Sequence, residues 1–196
     1  MKASLSLSEK HDLILANEQQ LAKSVAADVI DKPQLALWMI LIPVFFVFYF
    51  FHLKRYKNGL KDFIRHFLTT RTRVLGAAFN AAETDKKIDI EAILDVSDAP
   101  DETRDEYRSW VAALSEYFDL LIKAQGETFE ELVRSTYKNQ TAYLLAVNRL
   151  NSTERLFNKA LTPFLPDDEG NIVTVVEVME KSVENFRRNQ AEEIFS

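Results

Sequence analysis

Residues 34–53, QLALWMILIPVFFVFYFFHL, hold no side chain that is formally charged at neutral pH, and Lys32 and Lys54 stand just outside the two borders. Twenty residues at about 1.5 Å rise make about 30 Å, the thickness of a bilayer's hydrocarbon core. A helix apolar on every side needs apolar neighbours on every side, and about 140 residues of amphipathic helix are too few to wrap it as a buried core helix. A cleaved signal peptide fits no better, because some thirty mixed polar residues precede the run and the aromatics Phe45, Phe46, Phe48, Phe50 and Phe51 fill its end. Residues 33–53 are therefore read as one transmembrane helix, marked from edge to edge by Gln34, Trp38, Pro43, Phe46, Tyr49 and Leu53. Trp38 and Tyr49 suit membrane interfaces, and Pro43 removes a backbone donor in mid-span, which predicts a kink.

The flanks set an expected orientation. Lys54, Arg55, Lys57, Lys61, Arg65, Arg71 and Arg73 follow the span, opposed within that stretch only by Asp62, whereas Lys23 and Lys32 are the only cations in the twenty residues before it. Positive charge stays inside, so the N-terminus is expected outside and the C-terminal domain in the cytoplasm, in a bacterial inner membrane. Lys54, Arg55, Lys57 and Lys61 are the expected contacts to anionic lipid headgroups, at about 1 kcal/mol each.

The net charge of −6 conceals a polarity: residues 54–73 carry seven basic and one acidic side chain, and residues 83–196 carry thirteen basic and twenty-four acidic. An acidic body lacks the basic face that neutralises phosphates, which argues against nucleic acid as a partner. The chain has no cysteine, which excludes disulfides, thiolate metal sites and cysteine nucleophiles. Four glycines and five prolines leave little material for the turns of a multi-stranded sheet.

Helical periodicity covers most of the remainder. In residues 1–32, a tail outside the membrane, Ile14, Leu21, Val25 and Val29 fall on one face of an amphipathic helix, with Glu18, Lys23 and Asp28 placed elsewhere. After the span, Tyr56, Leu60, Phe63, Phe67, Val74 and Ala78 recur at three and four, and Arg71 interrupts the stripe. The prediction is an unbroken rod to residue 82, about 74 Å long from Gln34, in which residues 54–82 form a basic stalk and Gly59 and Gly76 are weak points.

A short helix is expected over residues 89–96, and Pro100 suits the first turn of the next. That helix carries the clearest stripe, Tyr107, Trp110, Val111, Leu114, Tyr117, Phe118 and Leu121, and closes at Gly126. Thr128 and Glu131 have capping-box spacing, and the period then runs to Pro163 with a break or bend expected at Asn151 to Glu154. Asp167 to Gly170 lacks the alternating ligands of a calcium loop and reads as an exposed turn. Residues 172–178 are β-branched, but Val175, Met179, Val183 and Phe186 keep helical spacing, so a helix is predicted, with a small two-stranded element against residues 87–90 as the alternative.

The chemistry of the sequence is mostly negative. There is no Glu-x-x-His pair, phosphate-cradling glycine loop or Gly-x-Ser-x-Gly elbow, and His52 and His66 would lie about 21 Å apart on one helix, too far for one metal. His11, His52 and His66 are read as interface and surface positions. The predicted fold is all-α: a single transmembrane helix continuing into a cytoplasmic antiparallel helical bundle over residues 83–196, without metal or cofactor. The predicted function is a non-enzymatic, membrane-anchored scaffold or accessory subunit of a membrane protein complex. Its partners would be the lipid bilayer, other membrane or cytoplasmic proteins and a second copy of itself. A signal relay from the outer tail through Pro43 and the rod is the first alternative. An enzyme with an unfamiliar site is the second, one that a buried cluster of unlike titratable groups would favour.

Overall fold

The computed structural model describes residues 5–30, 56–165 and 172–196, and among these it is all-helical with no strand. Seven α-helices follow in order: α1 (Leu7–Ile30), α2 (Tyr56–Thr84), α3 (Ile90–Asp95), α4 (Arg104–Lys123), α5 (Phe129–Tyr137), α6 (Gln140–Leu161) and α7 (Ile172–Phe195). The expected membrane span, with Gln34, Trp38, Pro43, Phe46, Tyr49 and Leu53, lies outside the described residues, as do Lys54, Arg55, His52 and the acidic turn at 167–170. No helix among the described residues is long and apolar enough to cross a membrane.

Local chemistry starts and stops the helices. Ser6 and Glu9 cap α1 reciprocally: the Ser6 amide donates to Glu9 Oε2 at 2.8 Å and the Glu9 amide to Ser6 Oγ at 3.3 Å. Asp89 Oδ1 accepts from the Ala92 amide to open α3, and Thr128 Oγ1 accepts from the Glu131 amide to open α5. Glu131 completes that box one residue early, on the Glu127 amide at 2.7 Å. Gly126 is required there, because a Cβ would stand 2.7 Å from Glu131 Cβ and 2.8 Å from the Leu132 amide nitrogen.

The break expected at Asn151 to Glu154 falls elsewhere. Lys138 takes a left-handed conformation (φ 60°) that ends α5, and Asn139 caps α6 by accepting from the Ala142 amide at 2.9 Å. Ser152 and Thr153 instead turn their hydroxyls back onto the carbonyls of Asn148 and Leu150, so α6 runs through unbroken. Residues 172–178 are helical, with Ile172 and Val175 buried, and no strand forms with 87–90.

Side-chain contacts give the directions. His11 meets Phe79 edge-on and Glu18 meets Arg71, so α1 and α2 are antiparallel, and on that one-for-one register Ile30 draws level with the step from Gly59 to Leu60. Asp28 and Asn17 pair with Ser182 and Gln190, Arg155 and Asn151 with Glu184 and Arg187, and Trp110 and Glu116 with Phe157 and Arg149. Hence α1–α7, α7–α6 and α6–α4 are antiparallel as well, which leaves α2 and α4 running the same way. The predicted antiparallel bundle thus also contains a parallel contact, and residues 85–103 with α3 provide its return.

Two further expectations are corrected. Residues 7–30 are no separate tail: Ile14 belongs to one apolar core with Val74, Leu75, Val111 and Phe157, and Leu21, Val25 and Val29 to another with Phe63, Phe67, Val175 and Val183. The stalk, on which the bundle helices were expected to pack, is itself one of the helices of the core: Phe63, Phe67, Val74, Leu75 and Ala78 are all buried there and Gly76 sits in the helix without a break. The bundle therefore extends well before residue 83, because an amphipathic helix is stable where its apolar face finds a partner.

Candidate functional site

Arg71, which interrupts the stripe of α2, proves to be the most deeply enclosed charge among the described residues, with a side chain 0 % exposed. Its guanidinium donates to Glu18 Oε2 of α1 at 2.9 Å and to Glu154 Oε1 of α6 at 2.5 Å. Phe67 and Trp110 cover it at 4.6 and 5.9 Å from their ring centroids. Glu154 also lies 3.7 Å from Arg187 of α7, which donates to Asn151. Two cations and two carboxylates thereby tie four helices into a neutral cluster. Desolvation alone would pull the Arg71 pKa down, but Glu154 and then Glu18 more than offset it and hold the group above its ordinary value.

Glu18 therefore belongs on the apolar face of α1, between Ile14 and Leu21, and not elsewhere as its charge suggested. The cluster is shut away. The only cleft described beside it, lined by Asn151, Glu154, Asn158 and Met179, holds about 10 Å³, room for a single water at most. Such an arrangement locks helices together and leaves no space for a substrate.

An open site lies nearby. Between α1, α7 and the start of α5 runs a groove of about 640 Å³, lined by amides and hydroxyls (Asn17, Gln20 and Ser24 on α1, Asn185, Asn189 and Gln190 on α7) and by the apolar side chains of Leu13, Ala16, Phe129, Phe186 and Ile194. Its floor is fixed, since Gln190 donates to Asn17 at 2.5 Å and accepts from Tyr143 Oη at 2.9 Å. Carboxylates stand along it at Asp28, Glu130 and Glu193. Amides offer a donor and an acceptor from one group, as a peptide bond does.

Compared with protein-family models, curated proteins and solved structures, the chain matches none.

Of the expected headgroup contacts, Lys61 is exposed on α2, and Lys57 lies in the first turn of that helix. His66 is buried and not a surface residue; burial, and then Arg65, push its pKa down. No three metal-ligating side chains converge among the described residues. Sequence reasoning missed both the ion cluster and the groove. Arg71 in an apolar stripe was the signal for the first, but an amide-rich face on α1 or α7 looks like any solvated surface.

Proposed function

We propose that this chain is a non-enzymatic helical scaffold, an accessory subunit of a membrane protein complex, held at the cytoplasmic face of a bacterial inner membrane by residues 34–53. The groove between α1 and α7 carries this reading: it is open, preformed and lined by groups that recognise a peptide backbone, with carboxylates suited to a basic side chain on the partner. Its amides and hydroxyls supply no activated nucleophile, and the one buried ionic cluster described has no room for a reactant. The charge polarity of the sequence agrees with the placement, because the basic stretch after residue 53 is attracted to anionic lipid and the acidic remainder is repelled by it.

Full-length protein purified in mild detergent from native membranes should bring a stoichiometric partner with it. Asn185→Arg and Asn189→Arg together, both at exposed positions of the groove wall, should release that partner while leaving the melting temperature unchanged. Recovery of a free monomer from the unaltered chain, or of the same partner with the doubly substituted one, would overturn the assignment.

A further inference from the structure

We propose that the groove between α1, α7 and α5 takes a short extended segment of a partner protein that carries an aliphatic anchor, a lysine or arginine beside it, and a second cation about five residues along. This rests on the reading of the groove as a docking site and adds which side chains it selects.

The lining changes character along the groove. Asn17 pairs with Gln190 and Asp28 with Ser182, so α1 and α7 run past each other in opposite directions. Leu13 and Ile194 lie one turn beyond the first of these pairs and, with Phe129 of α5, make that end apolar. Arg134 of α5 donates to the Ile194 carbonyl at 2.7 Å and holds α5 there, while Glu130 and Glu193 stand exposed beside the apolar end. The middle is polar, with Gln20, Ser24, Asn185 and Asn189, interrupted by Phe186. Asp28 marks the far end, and because Glu193 follows its partner Ser182 by eleven residues, the two ends are about 17 Å apart along α7.

The polar groups of this lining are unsatisfied. Asn17 is 7 % exposed, and its amide nitrogen, whose companion oxygen is taken by Gln190, has no hydrogen-bond partner among the described residues. The same holds for the side chains of Gln20, Ser24, Asn185 and Asn189. Asp28, Glu130 and Glu193 have no cation within salt-bridge reach among the described residues, and no lysine or arginine lines the groove. Elsewhere in the bundle Glu18, Glu116, Glu154 and Glu184 are all paired with arginine.

An occupant must therefore bring hydrogen-bonding groups and positive charge. A helix uses its backbone groups internally and docks through an apolar stripe, for which the middle of the groove offers only Phe186. An extended segment presents a donor and an acceptor at each residue, which the amides of both walls can meet. Its aliphatic side chain fits among Leu13, Phe129 and Ile194, and a long cation next to it reaches Glu130 and Glu193 at the rim. At about 3.3 Å per residue, the remaining distance to Asp28 is covered by about five residues.

The probe is the fluorescein-labelled peptide Ser-Lys-Leu-Ser-Gln-Ser-Lys-Ser, made in both sequence directions and titrated with the full-length chain in mild detergent by fluorescence anisotropy. The tighter of the two should bind about tenfold better than the same peptide with both lysines changed to glutamine, with the leucine changed to serine, or with the two lysines side by side. Asp28→Asn, Glu130→Gln and Glu193→Gln together, all at exposed positions where an unchanged melting temperature checks the fold, should erase the advantage of lysine over glutamine. Equal binding of all the peptides, or binding of none, would overturn the proposed chemistry. Failure of the docking reading looks different. A native partner that stays with the triply substituted chain but leaves the one with Asn185→Arg and Asn189→Arg would overturn the basic segment and keep the docking groove. An unaltered chain that brings no partner from native membranes would overturn the docking reading, and this proposal with it.

Discussion

A guanidinium without water survives only among acceptors, and Arg71 has two, on helices 53 and 83 residues away in the chain. Removing it strands Glu18 and leaves Glu154 with Arg187 alone, so Arg71→Met should cost about 3–5 kcal/mol in urea unfolding. Combining it with Glu18→Leu, which removes the carboxylate that has no other cation and leaves Glu154 to Arg187, should recover much of that loss. The tyrosines give a second expectation. Burial pushes Tyr143 up to about 12, and Tyr117 well above its ordinary value, because the phenolate would lie in the core. A group with a raised pKa contributes fully below its unfolded value near 10, and its contribution is lost as pH climbs from there through about 12. Phenolate absorbance of the buried tyrosines should therefore rise together with alkaline unfolding; full titration near pH 10 in a still-folded chain would contradict their burial. At this scale the stripes were readable, since Tyr107, Val111, Leu114 and Phe118 are all buried where the period puts them. The ionic cluster was not, because periodicity shows that Arg71 faces inward but is silent on which acid meets it.

The helices themselves were largely visible in sequence, and their punctuation was visible only in part. Asn139 to Thr141 and Asn151 to Thr153 are similar polar clusters, yet one is a cap and the other lies inside α6. What separates them is Lys138 in its left-handed conformation, a decision of the backbone that no side-chain pattern announces. Asn139→Ala should lower stability by about 1 kcal/mol, as for a lost N-cap. Ser152→Ala, which removes only a hydroxyl bonded back to Asn148, should stay within about 0.5 kcal/mol in thermal melts. A similar cost at both positions would mean that α6 breaks where the sequence suggested. In α7 the β-branched start was ambiguous because strand propensity is largely a fit to a half-buried surface, and Val175, Met179 and Val183 find theirs against α1 and α2.

For the whole molecule, charge and hydropathy marked an apolar stretch and an acidic body, but they could not assign α1 to its place. The positive-inside rule weighs flanking cations alone and takes no account of where an amphipathic helix finds its apolar partners. α1 has such a face, with Glu18 in its middle, and the cation that neutralises it lies beyond residues 34–53, on α2. The helices on the two sides of the apolar stretch thus belong to one folding unit, with the ionic lock and the groove along it. The most direct measurement is a double-mutant cycle on the full-length chain with Glu18→Gln, Arg71→Gln and both, read as unfolding free energy. A close buried charge pair predicts a coupling of about 1.5 kcal/mol or more. Additivity within about 0.5 kcal/mol would mean that α1 and α2 do not meet, and would contradict the account.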